Sequence, residues 1–336
     1  MKINLEYIWL GGNNEFRSKN RIIKLEKDEL LLEDIPEWNF DGSSTNQAFT
    51  EDTEILLKPI KFVKSPFILE NCKSYLVLCE TFSFSQNETM PIFNNYRHDA
   101  KQTFDMALEC KPWFGLEQEY IIIGDSITND KKIQGQYYCG IGKGKYPLER
   151  KIVLEHLDAC LYAELEISGT NAEVAHCQWE YQIGPCVGID AGDQLLLSRY
   201  ILERIAEKYS VSINYDPKPF PKINGSGCHV NFSTESMRQE SGIKIIHDAI
   251  EKLSNNHQEI ISVSGENNEM RLTGHHETSS MDVFSLGIGT RHTSVRIPNS
   301  VIKDGKGYFE DRRCAANINP YLVTSTIFKI YLNIYF

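Results

Sequence analysis

Apolar residues along the first 80 or so positions come in short bursts separated by turn residues, the signature of strands rather than helices. Tyr7 to Leu10 is such a burst, closed by the turn Gly11-Gly12-Asn13-Asn14. Arg21 to Leu25 reads as another, followed by the charged turn Glu26 to Glu29. Ser74 to Glu80 is a third, denser in apolar residues. A polar stretch from Ser83 to Thr89 ends at Met90-Pro91, and a domain boundary is placed there, giving 1–88 and 89–336.

Beyond it the pattern alternates between two periods. Apolar residues at helical spacing predict helices over Tyr96 to Leu108, Leu148 to Leu165, Asp193 to Tyr209 and Ile243 to Leu253. Strand-like segments lie between and after them: Trp113 to Ile123, Gln178 to Ile183, Gly227 to Ser233, Thr290 to Ile297 and Tyr308 to Arg312. The apolar C-terminal stretch from Val323 is expected to be a packed helix, because it is short and Lys329 interrupts it. No internal repeat is visible.

The strand reading turns some charged residues into candidates. In Trp113-Phe114-Gly115-Leu116-Glu117-Gln118-Glu119-Tyr120, alternation sends Glu117 and Glu119 to one face. Two carboxylates so placed repel unless a cation lies between them, and a hard divalent ion is the natural one. A solvated strand face is the ordinary alternative, but Phe114 and Ile121 to Ile123 argue for burial. Glu180, in Gln178-Trp179-Glu180-Tyr181, also has apolar and aromatic neighbours, and a buried Glu paired with an Arg would explain it equally well. Glu173 by itself could be an exposed loop residue.

Asn224-Gly225-Ser226-Gly227 leads into Cys228-His229-Val230-Asn231-Phe232-Ser233, where alternation puts His229, Asn231 and Ser233 on one face. The glycines allow close backbone approach to a ligand. Neither this segment nor Gly140-Ile141-Gly142-Lys143-Gly144-Lys145 is a Walker loop, since the Gly-Lys-Ser/Thr ending is missing. Arg271, Arg291, Arg296 and Arg312 offer forks suited to carboxylates and phosphates. A strand aligns Tyr308, Glu310 and Arg312, whereas Arg291 and Arg296 have opposite parity, so a bulge must intervene or one of them is structural. Carboxylates with one imidazole suit Mg2+ or Mn2+ better than a thiolate-loving metal.

Composition narrows the classes. The 336 residues are 41% hydrophobic and 24% charged, ordinary for a globular chain with a sizeable core. A formal net charge of -11 argues against a nucleic-acid surface. The nine cysteines are scattered with no Cys-x-x-Cys, which leaves a zinc ribbon or thioredoxin-type site without support and suits a reducing, cytoplasmic compartment. Met1 to Leu10 is too charged for a signal peptide, and no apolar run approaches the roughly 20 residues of a membrane span.

Taken together and in order, these segments resemble the glutamine synthetase family, in its shorter, eukaryotic-type branch. The resemblance begins near Tyr7-Ile8-Trp9 and includes Pro36 to Thr45, Trp113 to Tyr120, Gly169 to Val174, Gln178 to Cys186, Asn224 to Thr234, Arg271 to Ser279 and Gly307 to Arg313. It implies an α+β fold: a small N-terminal β-grasp domain, then a catalytic domain with an antiparallel sheet and flanking helices. It also implies ATP-dependent ligation of ammonium to L-glutamate through a γ-glutamyl phosphate, in a homo-oligomer of two stacked pentameric rings with sites between subunits.

Carried onto this sequence, the family's metal ligands fall on Glu119, Glu173 and Glu180 for one Mg2+ or Mn2+ ion and on Glu117, His229 and Glu310 for another. Arg271, with Asn224 and Gly225, corresponds to the glutamate site, Arg312 to the reacting carboxylate, and Arg291 and Arg296 to the phosphates. Ser233, Arg238 and Tyr308 correspond to the nucleotide site. Asp41 and Ser44 of a neighbouring subunit, with Tyr138 and Glu277, correspond to the ammonium pocket. Against the family's pattern the sequence is expected to lack the N-terminal helix, and it differs in a shorter and more polar segment over 124–136, in Ala175-His176-Cys177, and in His292 after Arg291. A ligase for a larger amine and a silent binding protein on the same fold are the competing expectations. The full ammonium and metal sets speak against both.

Overall fold

The computed structural model describes residues 1–49, 51–85, 88–124, 135, 137–141 and 147–334. The loop expected over 124–136 and the Gly/Lys run at 140–145 lie largely outside the described residues. The chain divides into two compact units, Met1–Lys101 with Ala159–Leu165, and Gln102–Asp158 with Glu166–Phe336.

The first unit is built on strands β1 (Lys2–Leu10), β2 (Phe16–Lys24), β3 (Trp38–Asp41), β4 (Glu54–Lys64), β5 (Lys73–Ser85) and β6 (Glu88–Pro91). Their order is β2-β1-β5-β4-β3, with β6 added to β5. β1 and β5 run parallel, with Tyr7 opposite Val77, and the other pairs are antiparallel. This β-rich unit is consistent with a β-grasp domain. Ile3, Leu5, Tyr7 and Trp9, alternate residues of β1, join Leu57, Val77 and Ile35 in its core.

Two parts of this sheet were hidden in the sequence. β4 is interrupted by Pro59 and a register shift between Pro59 and Lys61, which breaks the alternation that would announce it. The polar stretch Ser83 to Thr89 is not a plain linker: Ser83 pairs with Met90 and Phe82 with Pro91, folding β6 back on β5. After β3, the Asp41 carboxylate caps a short 3-10 turn, Gly42–Thr45, accepting from the Ser43 amide at 3.0 Å. Gly42 is required there, because a Cβ would lie 2.5 Å from Cγ1 of Ile55.

The second sheet comprises β7 (Trp113–Ile123), β8 (Ile167–Ala172), β9 (Gln178–Val187), β10 (Ser212–Asn214), β11 (Cys228–Ser233), β12 (Leu286–Ile288), β13 (Val295–Ile297) and β14 (Phe309–Asp311). Its order is β12-β13-β14-β11-β7-β9-β8, with β10 also on β7, and only the β12–β13 pair is parallel. The helices are α1 (Tyr96–Asp105), α2 (Pro147–Tyr162), α3 (Asp190–Lys208), α4 (Gly242–Asn255), α5 (His257–Val263), α6 (Asn299–Asp304) and α7 (Pro320–Leu332).

One face of β7 carries Leu116, Gln118 and Tyr120, all fully buried. Arg199 of α3 donates to the Gln118 side-chain Oε1 at 2.8 Å and to the Ala316 and Ile318 backbone carbonyls, so the polar pair on this face is satisfied. Phe114, Phe232, Phe309 and Phe328 fill the core nearby, with Phe114 and Phe232 centroids 5.0 Å apart. α7 starts as its sequence prescribes, with Asn319 accepting from the Tyr321 amide and Pro320 in the first turn. The strand expected over Thr290 to Ile297 is confined to Val295–Ile297, and a turn precedes it. No described helix is long and apolar enough to cross a membrane.

Candidate active site

The other face of β7 makes the site. Register aligns Glu117 with His229 of β11 and with Gln182 of β9, and Glu119 with Glu180, which in turn faces Asn171 of β8. On the far side, Asn231 faces Glu310 of β14, which faces Arg296 of β13. Neighbouring strands lie about 4.8 Å apart, so residues in register are held side by side by the ladder itself.

A cavity of about 190 Å³ opens on this face. Of the residues singled out above, Glu117, Glu119, Glu173, Glu180 and His229 line it, as do Asn224, Gly225, Arg271, Arg291, Arg296 and Arg312, together with Tyr138 and Glu277. Arg291 and Arg296 reach one cavity despite their parity, because Arg291 stands in the turn before β13 rather than in the strand.

Glu117, His229 and Glu310 each bring one ligand atom within 4.8 Å of the others. His229 Nδ1 is 3.3 Å from Glu117 Oε2 and 3.5 Å from Glu310 Oε1. Burial, and next the Arg312 charge, hold the imidazole well below its usual pKa, so it is neutral and has a lone pair to offer. Its Nε2 accepts from Arg271 Nη2 at 3.1 Å, which leaves the ring proton on Nδ1. A cation bound through Nδ1 therefore requires the other tautomer. Glu310 is completely buried. It lies 2.5 Å from Arg296 Nε and 2.6 Å from Arg312 Nη1.

Glu119, Glu173 and Glu180 do not form a cluster of that tightness among the described residues. Glu119 Oε2 accepts from the Gly227 amide at 2.7 Å, and Glu173 Oε1 from Asn171 at 2.9 Å. Glu180 accepts from Gln182. Burial is the largest cause raising all three carboxyls above the ordinary range. The neighbouring carboxylates add to it for Glu119 and Glu180. Such a set is costly as bare anions and is relieved by a cation. Its all-oxygen chemistry fits Mg2+ or Mn2+.

The cationic wall is equally ordered. Arg271 is buried and held by the Arg312 and Arg313 carbonyls at 3.2 and 3.4 Å. A Cβ on Gly227 would sit 2.5 Å from Arg271 Nη2, and one on Gly225 would sit 2.1 Å from the Pro217 carbonyl oxygen, so both glycines are needed for the close approach. Glu277 accepts from Asn224 and from Arg291 Nη1, both at 3.1 Å. His276 and Glu277 have left-handed backbones, with φ of 53° and 67°. Two consecutive non-glycine residues in that region mark a strained turn aimed at the cavity.

A second cavity of about 440 Å³ adjoins it, sharing Glu117 and Gln182. Trp113, Phe114, Phe232, Ser233, Arg238 and Tyr308 are among its walls. Arg238 lies 3.9 Å over the Trp113 ring and donates to Ser233 Oγ at 2.9 Å. The shape is an apolar slot with a cation at its rim. Asp41 and Ser44 belong to the first unit, exposed on its 3-10 turn. Hydrogen bonds from the Ser43 hydroxyl and amide hold the Asp41 carboxyl below its usual pKa.

Gln178, Gln182, Asn171 and His276 also line the first cavity and were not singled out from the sequence. Gln178 and Gln182 share the parity of Glu180, so alternation along β9 could have found them. Gln178 donates to Glu119 and to the Gly225 carbonyl, joining the acidic and glycine-rich segments.

The cavity carries carboxylates on one wall and guanidinium groups on the other, a charge pattern suited to anionic ligands and cations together. Residues 96–332 match the family model described as glutamine synthetase, catalytic domain. The chain is 49% identical to a glutamine synthetase of Saccharomyces cerevisiae over 331 residues, covering 96% of this chain and 87% of that protein. It is 48% identical to one of Tuber borchii, covering 96% and 90%. It is 46% identical to one of Agaricus bisporus, covering 97% and 92%. The chain belongs to the glutamine synthetase family, in its eukaryotic-type branch, and is an enzyme of that type.

Proposed function

We propose that the chain joins ammonia to the γ-carboxylate of L-glutamate at the expense of ATP, through γ-glutamyl phosphate. The observation that carries this reading is the confluence of Arg271, Arg291, Arg296 and Arg312 on a cavity walled by glutamates. That charge pattern suits a carboxylate and a polyphosphate brought together over divalent cations.

In this reading Arg271, beside Asn224 and Gly225, grips the α-carboxylate of glutamate. The γ-carboxylate oxygen attacks the terminal phosphorus of ATP, the bond to the bridging oxygen breaks, and ADP leaves. Arg312, Arg291 and Arg296 balance the charge gathering on the transferring group. Glu119, Glu173 and Glu180 would hold one Mg2+ or Mn2+, and Glu117, His229 and Glu310 another. When bound, such ions supply further neutralisation of the phosphates. The adenine side of ATP takes the apolar slot, with Tyr308 and Arg238 at its rim and Ser233 beside Arg238.

Ammonium is not a nucleophile until it loses a proton. Asp41 and Ser44 of a neighbouring subunit, with Tyr138, bind it, and Asp41 takes the proton. Ammonia then attacks the acyl carbon and phosphate departs. Glu277, on its strained turn, keeps water from the acyl phosphate and accepts the second proton. The small N-terminal domain, 1–88 by its pattern, thus serves the catalytic domain, 89–336, of the next subunit. The assembly is a decamer of two pentameric rings in a cytoplasmic, reducing setting. The test is incubation of the assembled protein with glutamate, ATP, ammonium and Mg2+ or Mn2+. Glutamine and ADP are expected in equal amounts, and ADP formation without glutamine would overturn the reading.

A further inference from the structure

The turn Ala175-His176-Cys177 has no part in that chemistry, yet it completes a second group of donors. Glu149, in the first turn of α2, is buried and points one oxygen, Oε2, at the Trp179 indole N–H, 3.0 Å away. Its other oxygen, Oε1, lies 3.6 Å from Cys177 Sγ. Cys177 has a left-handed backbone, φ 61°, and its carbonyl accepts from the Ile122 amide at 3.0 Å, which ties the turn down. The His176 ring stands beside the thiol, with Nδ1 at 2.8 Å and Nε2 at 3.7 Å from Sγ. Tyr137 packs edge-to-face on that ring at 5.1 Å. One ligand atom from each of Glu149, His176 and Cys177 falls within 4.8 Å of the other two.

These spacings have a meaning. A tetrahedral zinc ion with bonds of ~2.3 Å to sulfur and ~2.0 Å to nitrogen or oxygen separates those ligands by ~3.5 Å. The Sγ–Oε1 distance of 3.6 Å is close to that edge, and Nδ1, the ring nitrogen beside the thiol at 2.8 Å, needs to open by only ~0.7 Å to reach it. Thiolate, imidazole and carboxylate together select zinc over magnesium or manganese, which prefer oxygen. The Trp179 indole fixes Glu149 from behind, as an outer partner of a ligand does. His176 is only half-buried, which leaves a way in for the ion.

We propose that Glu149, His176 and Cys177 form a zinc-binding site, separate from the carboxylate cavity, which fastens the start of α2 to the turn that carries Glu173. Zinc binds as the thiol gives its proton to solvent, and water fills the fourth position.

Co2+ is the probe. The full-length protein, kept in saturating Mg2+, is titrated with Co2+ while the thiolate-to-cobalt charge-transfer absorption is recorded. No cysteine lines the carboxylate cavity, so cobalt bound there is silent in this band. The expected result is a band that saturates at one equivalent and is erased by Zn2+. Cys177→Ser should abolish it and Glu149→Gln should weaken cobalt binding by roughly tenfold or more, while Cys139→Ser, at an exposed thiol, leaves it unchanged. Absence of the band in the unaltered protein overturns the proposal whether or not a variant folds, and so does a band that persists in Cys177→Ser.

Discussion

Replacing Glu310 with Gln tests whether one buried carboxylate serves both the guanidinium groups and a cation. Glu310 is fully buried, with Arg296 Nε at 2.5 Å, Arg312 Nη1 at 2.6 Å and His229 Nδ1 at 3.5 Å. The amide keeps the shape and removes the charge. Breaking a buried pair by removing one partner costs about 3–5 kcal/mol. Arg296 retains 26% of its side-chain exposure and can recover some hydration, whereas Arg312 at 10% cannot, so the lower end, about 3 kcal/mol, applies. Urea unfolding of the metal-free protein reads this directly. Adding Mn2+ then separates the two roles. A ligand present at 100 times its dissociation constant stabilises by about 2.7 kcal/mol. The unaltered protein should gain about that much, and Glu310→Gln clearly less. Equal Mn2+ stabilisation in both proteins would refute the ligand role, and unchanged metal-free stability would refute the charge argument.

Three further outcomes follow from other parts of the molecule. Arg271→Lys replaces a fork with a point charge, and losing a charged hydrogen bond worth about 1.5–3 kcal/mol should raise the KM for glutamate roughly 10- to 150-fold, with the KM for ATP little changed. Arg238→Ala removes the cation over Trp113, worth about 1 kcal/mol, and should raise the KM for ATP roughly fivefold without moving that for glutamate. His156 is buried against Tyr181 and Ser198, and burial lowers its pKa from 6.5 to about 4. The unfolded chain therefore takes up a proton that the folded one refuses, so stability falls as pH drops from 6.5 to about 4, by about 3 kcal/mol. His156→Gln should flatten that part of the urea-midpoint profile, and an unchanged slope would contradict it.

Much of the site was legible because strands convert spacing into facing. Glu117 and Glu119 on β7, His229 and Asn231 on β11, and Glu310 on β14 could each be assigned a face from period-2 alternation alone, whereas Arg312, expected on the same strand as Glu310, stands one residue past its end. Which strands lie side by side is a tertiary fact. Only the register Glu119–Glu180 and Glu117–His229 brings the segments together. The parity conflict between Arg291 and Arg296 came from extending β13 backwards over a turn, since the polar run Thr290 to Ser294 carries no periodicity to stop it. β4 and β6 escaped notice because Pro59 with its bulge breaks one pattern and β6 is mostly exposed. Glu117 and Glu119 began as one pair on one face. Glu117 groups with His229 and Glu310, and Glu119 lies beside Glu173, while Glu180 feels the charges of Glu117, Glu119 and Glu173 together.

The account stands on activation of the glutamate γ-carboxylate by phosphoryl transfer, and isotope transfer tests that most directly. Glutamate labelled with 18O in its γ-carboxylate is incubated with ATP, ammonium and Mg2+ on the assembled protein, and the inorganic phosphate is examined by mass spectrometry. The account predicts that each glutamine formed delivers one labelled oxygen to phosphate, because the oxygen that attacked ATP leaves with it. Glutamine formed alongside unlabelled phosphate would contradict it.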